Sequence, residues 1–274
     1  MQQPLRLSQR AIISVTGPEA EPFLNNILTA STIGLETIAY RYGALLTPQG
    51  KVIADMLIAR GDDAILLDCA RIAAPAVLKR LTLMKLRAAV SIVAREDLAV
   101  FAFAGWPDPR DPHAPRRRIA PVADAPHDDT AYHAARVAAG LSEQGSDFGI
   151  EEVFPADINM DLLGGIDFRK GCFVGQEVVS RMKRRGTARR RTLRAQASAS
   201  VASPAPVVAD GFEIGTLTSF SGGAGLARVR IDRLSEAEAA GQAITANGVV
   251  LTFDKPDWLA GELAALAAGK EAKA

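Results

Sequence analysis

The chain has 274 residues, a net charge of +1 and two cysteines. That length allows a substantial core and favours two domains, while the balanced charge gives no sign of a nucleic-acid or membrane-surface protein. No apolar run of about 18 residues occurs, and residues 1–10 lack the apolar core of a signal peptide. A soluble cytoplasmic protein without a disulfide framework is therefore expected.

The first predicted elements are hairpins and isolated helices. Strands at 40–46 and 51–59 flank Thr47-Pro48-Gln49-Gly50, with Pro and Gly where a type I turn prefers them. A strand at 64–68, a helix over 74–87 and strands at 89–94 and 98–104 follow. Because these elements do not repeat as βαβ units, they predict an α+β fold.

Two segments have the composition of linkers. Six prolines lie within 106–126, together with an arginine triplet at 116–118, and this density predicts a solvated loop. Residues 195–208 are small and polar enough to join two domains. The expected division is a first region over 1–194, a β domain over 209–256 and a helical tail over 257–274.

The β domain is predicted from short strands and a turn. Candidate strands lie at 212–220, 226–231, 243–246 and 249–253, and Asn247-Gly248 between the last two is typical of a two-residue hairpin. The pattern predicts a small barrel or sandwich.

Residues 168–177 form the most informative motif, Phe-Arg-Lys-Gly-Cys-Phe-Val-Gly-Gln-Glu. Cys172 lies between Lys170 and a helix predicted over 176–185, so an ammonium and backbone N–H groups both favour its thiolate. Such a thiolate could be a nucleophile, a metal ligand or a redox group. The alternative is a strand-to-helix turn with a half-buried structural cysteine, and Cys69, which ends an apolar run, is expected to be a packing residue.

The motif resembles the signature of the folate-binding YgfZ family, relatives of the glycine-cleavage T-protein (aminomethyltransferase) that are associated with iron–sulfur cluster assembly and repair. Further similarity is found at 10–32, 42–55, 155–166 and 222–232. The resemblance implies a T-protein-like folate-binding region with a central cavity, followed by a C-terminal β-barrel. It implies tetrahydrofolate as ligand and iron–sulfur assembly proteins or client [4Fe–4S] enzymes as partners.

The resemblance also implies the site residues. Cys172 would be the reactive group and Lys170 its electrostatic partner. The residues expected to contact folate are Tyr42, Asp55, Tyr132, Arg136, Gly171, Phe173, Gly175, Gln176, Glu177 and Arg181. No metal site of the chain's own is expected, because iron–sulfur clusters usually need four thiolates.

Two other functions are carried as alternatives. A folate-dependent aminomethyl- or methyltransferase needs a pterin-binding carboxylate, and the matching segment 136–140 has Ala138 at that position, so enzymatic activity is left open. An RNA-associated or scaffolding protein could use the basic segment 181–194, which contains eight Arg or Lys residues and no acid. Because that segment has no aromatic residue to stack on bases, an anionic small ligand or protein partner is favoured over RNA.

Overall fold

The computed structural model describes residues 3–37, 39–123, 125–126, 129–186 and 188–271. The first part of the chain contains β1 (Leu5–Arg6), β2 (Arg10–Thr16), α1 (Ala20–Asn25), β3 (Tyr40–Leu46), β4 (Val52–Arg60), β5 (Ala64–Ala70), α2 (Ala74–Lys85), β6 (Ser91–Ala94), β7 (Leu98–Trp106), β8 (Arg117–Pro121) and α3 (Thr130–Ala138). The second part contains α4 (Gln176–Arg184), β9 (Arg190–Ala197), β10 (Ala205–Ala209), β11 (Phe212–Ser221), β12 (Ala224–Arg230), α5 (Ile231–Ala239), β13 (Ile244–Ala246), β14 (Val249–Phe253) and α6 (Asp257–Glu271).

A five-stranded antiparallel sheet, in the order β3-β4-β5-β2-β6, organises the first region. The predicted hairpin is present: Tyr40 pairs with Ala59, and the Gly50 N–H donates to the Thr47 carbonyl at 2.9 Å. One face of the sheet packs against α1 and α2 around Leu24, Leu45 and Val77. The other face packs around Phe173 and Val179, which brings the cysteine motif and α4 to this sheet.

A second sheet, β1-β7-β8, corrects the expectation for 106–126. That segment is not a loop throughout, because β8 pairs with β7 and places Val100 opposite Ile119. Nor is the arginine triplet solvated as a whole: Arg117 is 2% exposed. Proline density correctly predicted the irregular chain before β8, but it could not indicate that Arg117 has buried carboxylate partners.

The C-terminal region is a closed barrel in the order β10-β11-β12-β9-β14-β13. It begins earlier than the expected boundary at residue 209, because β9 and β10 are two of its strands. The small residues that suggested a linker are suited to a tight barrel interior, where Ala195 and Val207 are fully buried. The predicted Asn247-Gly248 turn joins β13 and β14.

The α+β prediction is confirmed, with a mixed first region and a separate barrel. Helix α6 supports the helical tail as far as Glu271, and residues 272–274 of that prediction lie outside the described residues. None of the helices in the described ranges is long and apolar enough to cross a bilayer.

Candidate functional site

The cysteine motif forms an exposed loop that leads into α4. Cys172 is exposed, whereas Phe173 beside it is buried against the first region. The Phe173 N–H donates to the side-chain oxygen of Gln176 at 3.3 Å, and the Gln176 N–H donates to the Phe173 carbonyl at 3.2 Å. Helix α4 therefore begins where the sequence predicted. The buried Phe173 ring holds the loop against the first region, and the Cys172 thiol next to it is exposed to solvent.

Lys170 ties this loop to the chain that follows α1. Its ammonium donates to the carbonyl oxygens of Asn25, Leu28 and Ala30. An ammonium has three N–H donors, so these carbonyls occupy all of them. Burial lowers the pKa of Lys170 to about 8, although Asp167 acts in the opposite direction. These hydrogen bonds hold the loop in place, and the electrostatic role of Lys170 toward Cys172 stays a prediction.

Gly175 brings the start of α4 close to the β3–β4 hairpin. Its φ is +80°, and a Cβ atom there would lie 2.6 Å from the Thr47 carbonyl oxygen and 3.1 Å from the Cα of Gly50. Gly50 also has a positive φ and packs against Val178. Gly171 differs, because a Cβ atom there would meet nothing within 4 Å. Of the two motif glycines, Gly175 is the one that the packing requires.

The basic segment divides into paired and exposed residues. The segment has no acid of its own, but two of its arginines have partners from elsewhere in the chain: Arg191 contacts Asp161 and Glu262, both at 2.6 Å, and Arg194 contacts Asp254. These acids are distant in sequence, which is why local composition did not reveal them. The residues that remain exposed are Arg181, Lys183, Arg184, Arg185, Arg189 and Arg190. Three of these lie on α4 and Arg185 directly follows it; Glu177, in the first turn of the helix, is also exposed.

Tyr42 and Asp55 lie together but away from solvent. The Tyr42 hydroxyl donates to Asp55 Oδ2 at 3.2 Å, and the two residues are 3% exposed. Burial raises the pKa of Asp55, while Arg10 and Arg110 act against it. The guanidinium carbon of Arg110 lies 5.1 Å from the Tyr42 ring centroid. The structure therefore brings Tyr42 and Asp55 together, with the Arg110 guanidinium over the Tyr42 ring.

Tyr132 and Arg136 lie on α3 and are also buried. Tyr132 donates to Glu143 at 3.0 Å, and the Arg117 guanidinium carbon lies 5.1 Å from its ring centroid. Arg136 contacts Asp147 at 2.6 Å and donates to Ser219 of β11 at 3.1 Å. Arg136 therefore connects the first region to the barrel. Tyr132 and Arg136, both predicted to contact folate, have protein side chains as their partners.

Sequence reasoning missed a central ionic cluster, which joins β2, β5, β8 and α3. Arg10 contacts Asp68 at 2.6 Å, and Arg117 contacts the same carboxylate at 3.2 Å. Its members are Arg10, Asp68, Asp108, Arg110, Arg117, Arg136, Glu143 and Asp147. The one local signal was Asp68, a carboxylate inside an apolar strand, because buried charges need partners.

Two clefts are lined by residues that the resemblance singles out, Tyr42 in one and Ala138 in the other. The Phe168 cleft has a volume of about 760 Å³ and is lined by residues that include Tyr40, Tyr42, Phe168, Arg169 and Lys183. The Ala138 cleft, of about 660 Å³, is lined by residues that include Ala138, Asn159, Arg194 and Trp258. Leu163 lines both.

Neither cleft supplies the pterin site that the resemblance implies. Ala138 lies in its cleft but has no oxygen to accept the pterin's N–H groups. Asn159 contributes one buried amide oxygen without a partner, which is a single neutral acceptor and not the paired oxygens of a carboxylate. The rings of Tyr42 and Tyr132 are covered by arginines. The residues present do not fit a pterin as they stand.

The two cysteines differ in environment. Cys69 is fully buried among the residues that pack on α2, and burial raises the pKa of its thiol to about 12. It is thus a packing residue with an un-ionised thiol. Among the residues described, no three His, Cys, Asp or Glu side chains group in a way that could hold a metal ion.

The comparisons with known proteins support the fold and name a group of relatives. Residues 189–261 match the family described as CAF17, C-terminal beta-barrel domain. The mitochondrial iron–sulfur cluster assembly factor IBA57 homolog of Pyricularia oryzae is 31% identical over 216 residues, which cover 68% of this chain and 55% of that protein. The Neurospora crassa homolog is 28% identical over 228 residues, which cover 69% and 52%. The chain thus spans about half the length of these curated relatives.

A solved structure matches over nearly the whole chain. The glycine cleavage system aminomethyltransferase T from Bartonella henselae superposes with a TM-score of 0.71 at 18% identity, covering 92% of this chain and 84% of the other. At that identity the likeness shows the fold alone. The chain has the T-protein fold, with the C-terminal barrel that was predicted.

Proposed function

We propose that this protein is an assembly or repair factor for iron–sulfur enzymes, in the group that the YgfZ family typifies, and that it acts through Cys172. The observation that carries the proposal is an exposed cysteine on a loop fixed by Lys170 and Gly175. The names of the relatives, which are iron–sulfur cluster assembly factors, support the same assignment.

Cys172 would act as one thiolate ligand to a cluster that is cargo. The thiol loses its proton to solvent when sulfur binds iron, because the thiolate is the ligand form. One thiolate does not complete a cluster site, and Cys69 is buried with a raised pKa. The remaining ligands in this proposal come from a partner, so the cluster is shared across an interface.

The surface near the loop favours an acidic partner. Helix α4 starts four residues after Cys172 and ends in Arg181, Lys183 and Arg184. A partner with an acidic surface would be attracted to this end of the helix, and the attraction would weaken as salt is added. An iron–sulfur assembly protein or a client [4Fe–4S] enzyme with such a surface fits the proposal. A cytoplasmic location is part of the proposal, although the relatives are named as mitochondrial.

No folate-dependent step is included in the proposal. The family resemblance implies folate as a ligand, but Ala138 and the covered tyrosines do not offer a pterin a carboxylate or a free aromatic face. For the same reason aminomethyl transfer is not proposed. The proposed role of Cys172 does not depend on tetrahydrofolate binding.

Complementation tests the proposal. Cells that lack this protein would receive the wild type, Cys172→Ser or Cys69→Ala at matched levels, and the activity of a [4Fe–4S] dehydratase would be measured under oxidative stress. We expect the wild type and Cys69→Ala to restore activity and Cys172→Ser to fail while melting like the wild type. Restoration by Cys172→Ser would remove the cysteine from the mechanism, and an unfolded Cys172→Ser protein would make it structural.

A further inference from the structure

The segment between β7 and β8 carries a buried ion pair to the centre of the fold. Arg110 donates to Asp108 through Nε at 2.9 Å and through Nη2 at 2.8 Å, and its backbone N–H donates to the same carboxylate at 3.0 Å. Both side chains are at most 5% exposed. Burial alone would raise the pKa of Asp108, but Arg110 and Arg117 outweigh it and hold that pKa well below its usual range. The carboxylate is therefore charged and bound in a two-donor, fork-like geometry.

The same guanidinium covers an aromatic ring. Its carbon lies 5.1 Å from the Tyr42 centroid, and another donor reaches the Ser142 carbonyl at 3.4 Å. Gly165 closes an edge of the ring, since a Cβ atom there would lie 2.8 Å from Tyr42 Cδ1. A flat, nitrogen-rich group is thus held between a carboxylate, a carbonyl and an aromatic face, and that group is the protein's own arginine.

The residues on either side of Arg110 line the two clefts. Pro109 before it lines the Phe168 cleft, and Asp111 after it lines the Ala138 cleft. Leu163 borders both. Arg110 thus lies in a short segment that borders two clefts, each large enough for a small ligand.

We propose that Asp108 and Tyr42 form a binding pocket for a planar group with an N–C–N donor edge, and that Arg110 is its internal occupant. The aminopyrimidinone edge of a pterin and a guanidinium share this chemistry, because each presents two parallel N–H donors to a carboxylate. Asp108 offers the paired oxygens that Ala138 lacks, yet Arg110 already binds them. Arg110 thereby keeps pterins out of this pocket in the wild-type protein.

A binding experiment distinguishes this proposal from an ordinary buried ion pair. The probes are methylguanidinium and 5-formyltetrahydrofolate, titrated calorimetrically into the wild type, Arg110→Ala and Arg116→Ala. Arg116 is a matched control, because it lies in the same segment but is exposed and donates to the Gly105 carbonyl. Melting temperature, measured with and without methylguanidinium, gives a readout that does not depend on activity.

We expect Arg110→Ala to bind 5-formyltetrahydrofolate at least about tenfold more tightly than the wild type, since Asp108 would lose its bonds to the Arg110 side chain while keeping the longer Arg117 contact, at 3.9 Å, and a two-donor bond to its carboxylate would become available. Methylguanidinium should raise the melting temperature of Arg110→Ala and leave those of the wild type and Arg116→Ala unchanged. Equal binding of 5-formyltetrahydrofolate by the wild type and Arg110→Ala would overturn the proposal, as would the absence of any response of Arg110→Ala to both probes.

Arg110→Lys provides the test if Arg110→Ala does not fold. Lysine keeps the positive charge beside Asp108 but loses the planar fork, so the second carboxylate oxygen and the ring face become available. Arg110→Lys should bind 5-formyltetrahydrofolate more tightly than the wild type. If its affinity is no higher, Arg110 is not the occupant of a pocket formed by Asp108 and Tyr42. None of these outcomes bears on Cys172, which complementation tests separately.

Discussion

Gly175, the residue before α4, packs directly against Gly50 at the tip of the β3–β4 hairpin, and both residues have positive φ angles. The contact joins the cysteine motif to the central sheet through backbone atoms. A side chain at position 175 would have to displace the Thr47 carbonyl, which a Cβ atom would approach to 2.6 Å.

Gly175→Ala should therefore destabilise the protein, by roughly 1–3 kcal/mol from backbone strain together with the clash. Urea denaturation followed by circular dichroism would measure the change. Gly171→Ala is the matched control, because a Cβ atom there meets nothing within 4 Å. Equal loss of stability in both variants would contradict this account of the two glycines.

Lys170→Met should loosen the chain after α1. The three carbonyl oxygens of Asn25, Leu28 and Ala30 would lose their shared donor, at a cost of about 1–3 kcal/mol. Hydrogen exchange should become faster in residues 25–30. Arg169→Met, a change at the exposed neighbouring residue, should leave that exchange as in the wild type. Unchanged exchange in Lys170→Met would mean that these hydrogen bonds do not hold the loop.

Arg191→Ala should destabilise the junction between the first region and the barrel. It would leave Asp161 and Glu262 without their partner, and breaking a buried pair costs about 3–5 kcal/mol; partial exposure of Glu262 should reduce that cost. Arg190→Ala, at the exposed adjacent position, should have little effect on thermal unfolding. If the two variants melt alike, Arg191 does not have the structural role assigned to it.

Stability should fall in acid because of Asp108. A carboxyl whose folded pKa is depressed contributes stability that is present above its unfolded pKa, near 3.9, and is lost as the pH falls further. Unfolding free energies measured between about pH 2 and 5 should decline more steeply for the wild type than for Asp108→Asn. Parallel curves would show that another group controls the acid transition.

Asp55 should change the pH dependence of stability in the direction opposite to Asp108. Burial raises its folded pKa, so its stabilising contribution is present below the unfolded pKa and is lost as the pH rises through the folded value. Asp55→Asn keeps an acceptor for the Tyr42 hydroxyl and should be more stable than the wild type at neutral pH. The difference should shrink towards about pH 4. A variant that is less stable than the wild type at neutral pH would show that the charged form of Asp55 is required.

The elements that could be predicted from the sequence are those with local signals. The β3–β4 hairpin follows from Pro48 and Gly50, and the start of α4 follows from the motif around Gly175. The ionic cluster could not be predicted in the same way. Arg117 and Asp68 are 49 positions apart, and only the fold reveals that an arginine in a Pro-rich segment has a carboxylate in an apolar strand as its partner.

Ala138 could be interpreted from the sequence alone, because an alanine where the family resemblance implies a pterin-binding carboxylate argues against a T-protein-like pterin site. What the sequence did not reveal is that Arg110 binds the buried carboxylate of Asp108. That relationship depends on a segment whose prolines, Pro107 and Pro109, are exposed while the side chains of Asp108 and Arg110 are buried, and prolines and charges alone do not encode it.

The Lys170 contact has a consequence for how this protein can diverge. All its acceptors are main-chain oxygens, so it places no demand on which amino acids occupy positions 25, 28 and 30. The hydrogen bonds themselves would survive substitution at these positions, and it is core packing that restricts Leu28 and Ala30. A one-residue insertion or deletion within residues 26–29 would change the spacing of the three oxygens and disrupt the contact. The Lys170 contact itself should therefore be sensitive to the length of this short segment and insensitive to its side chains.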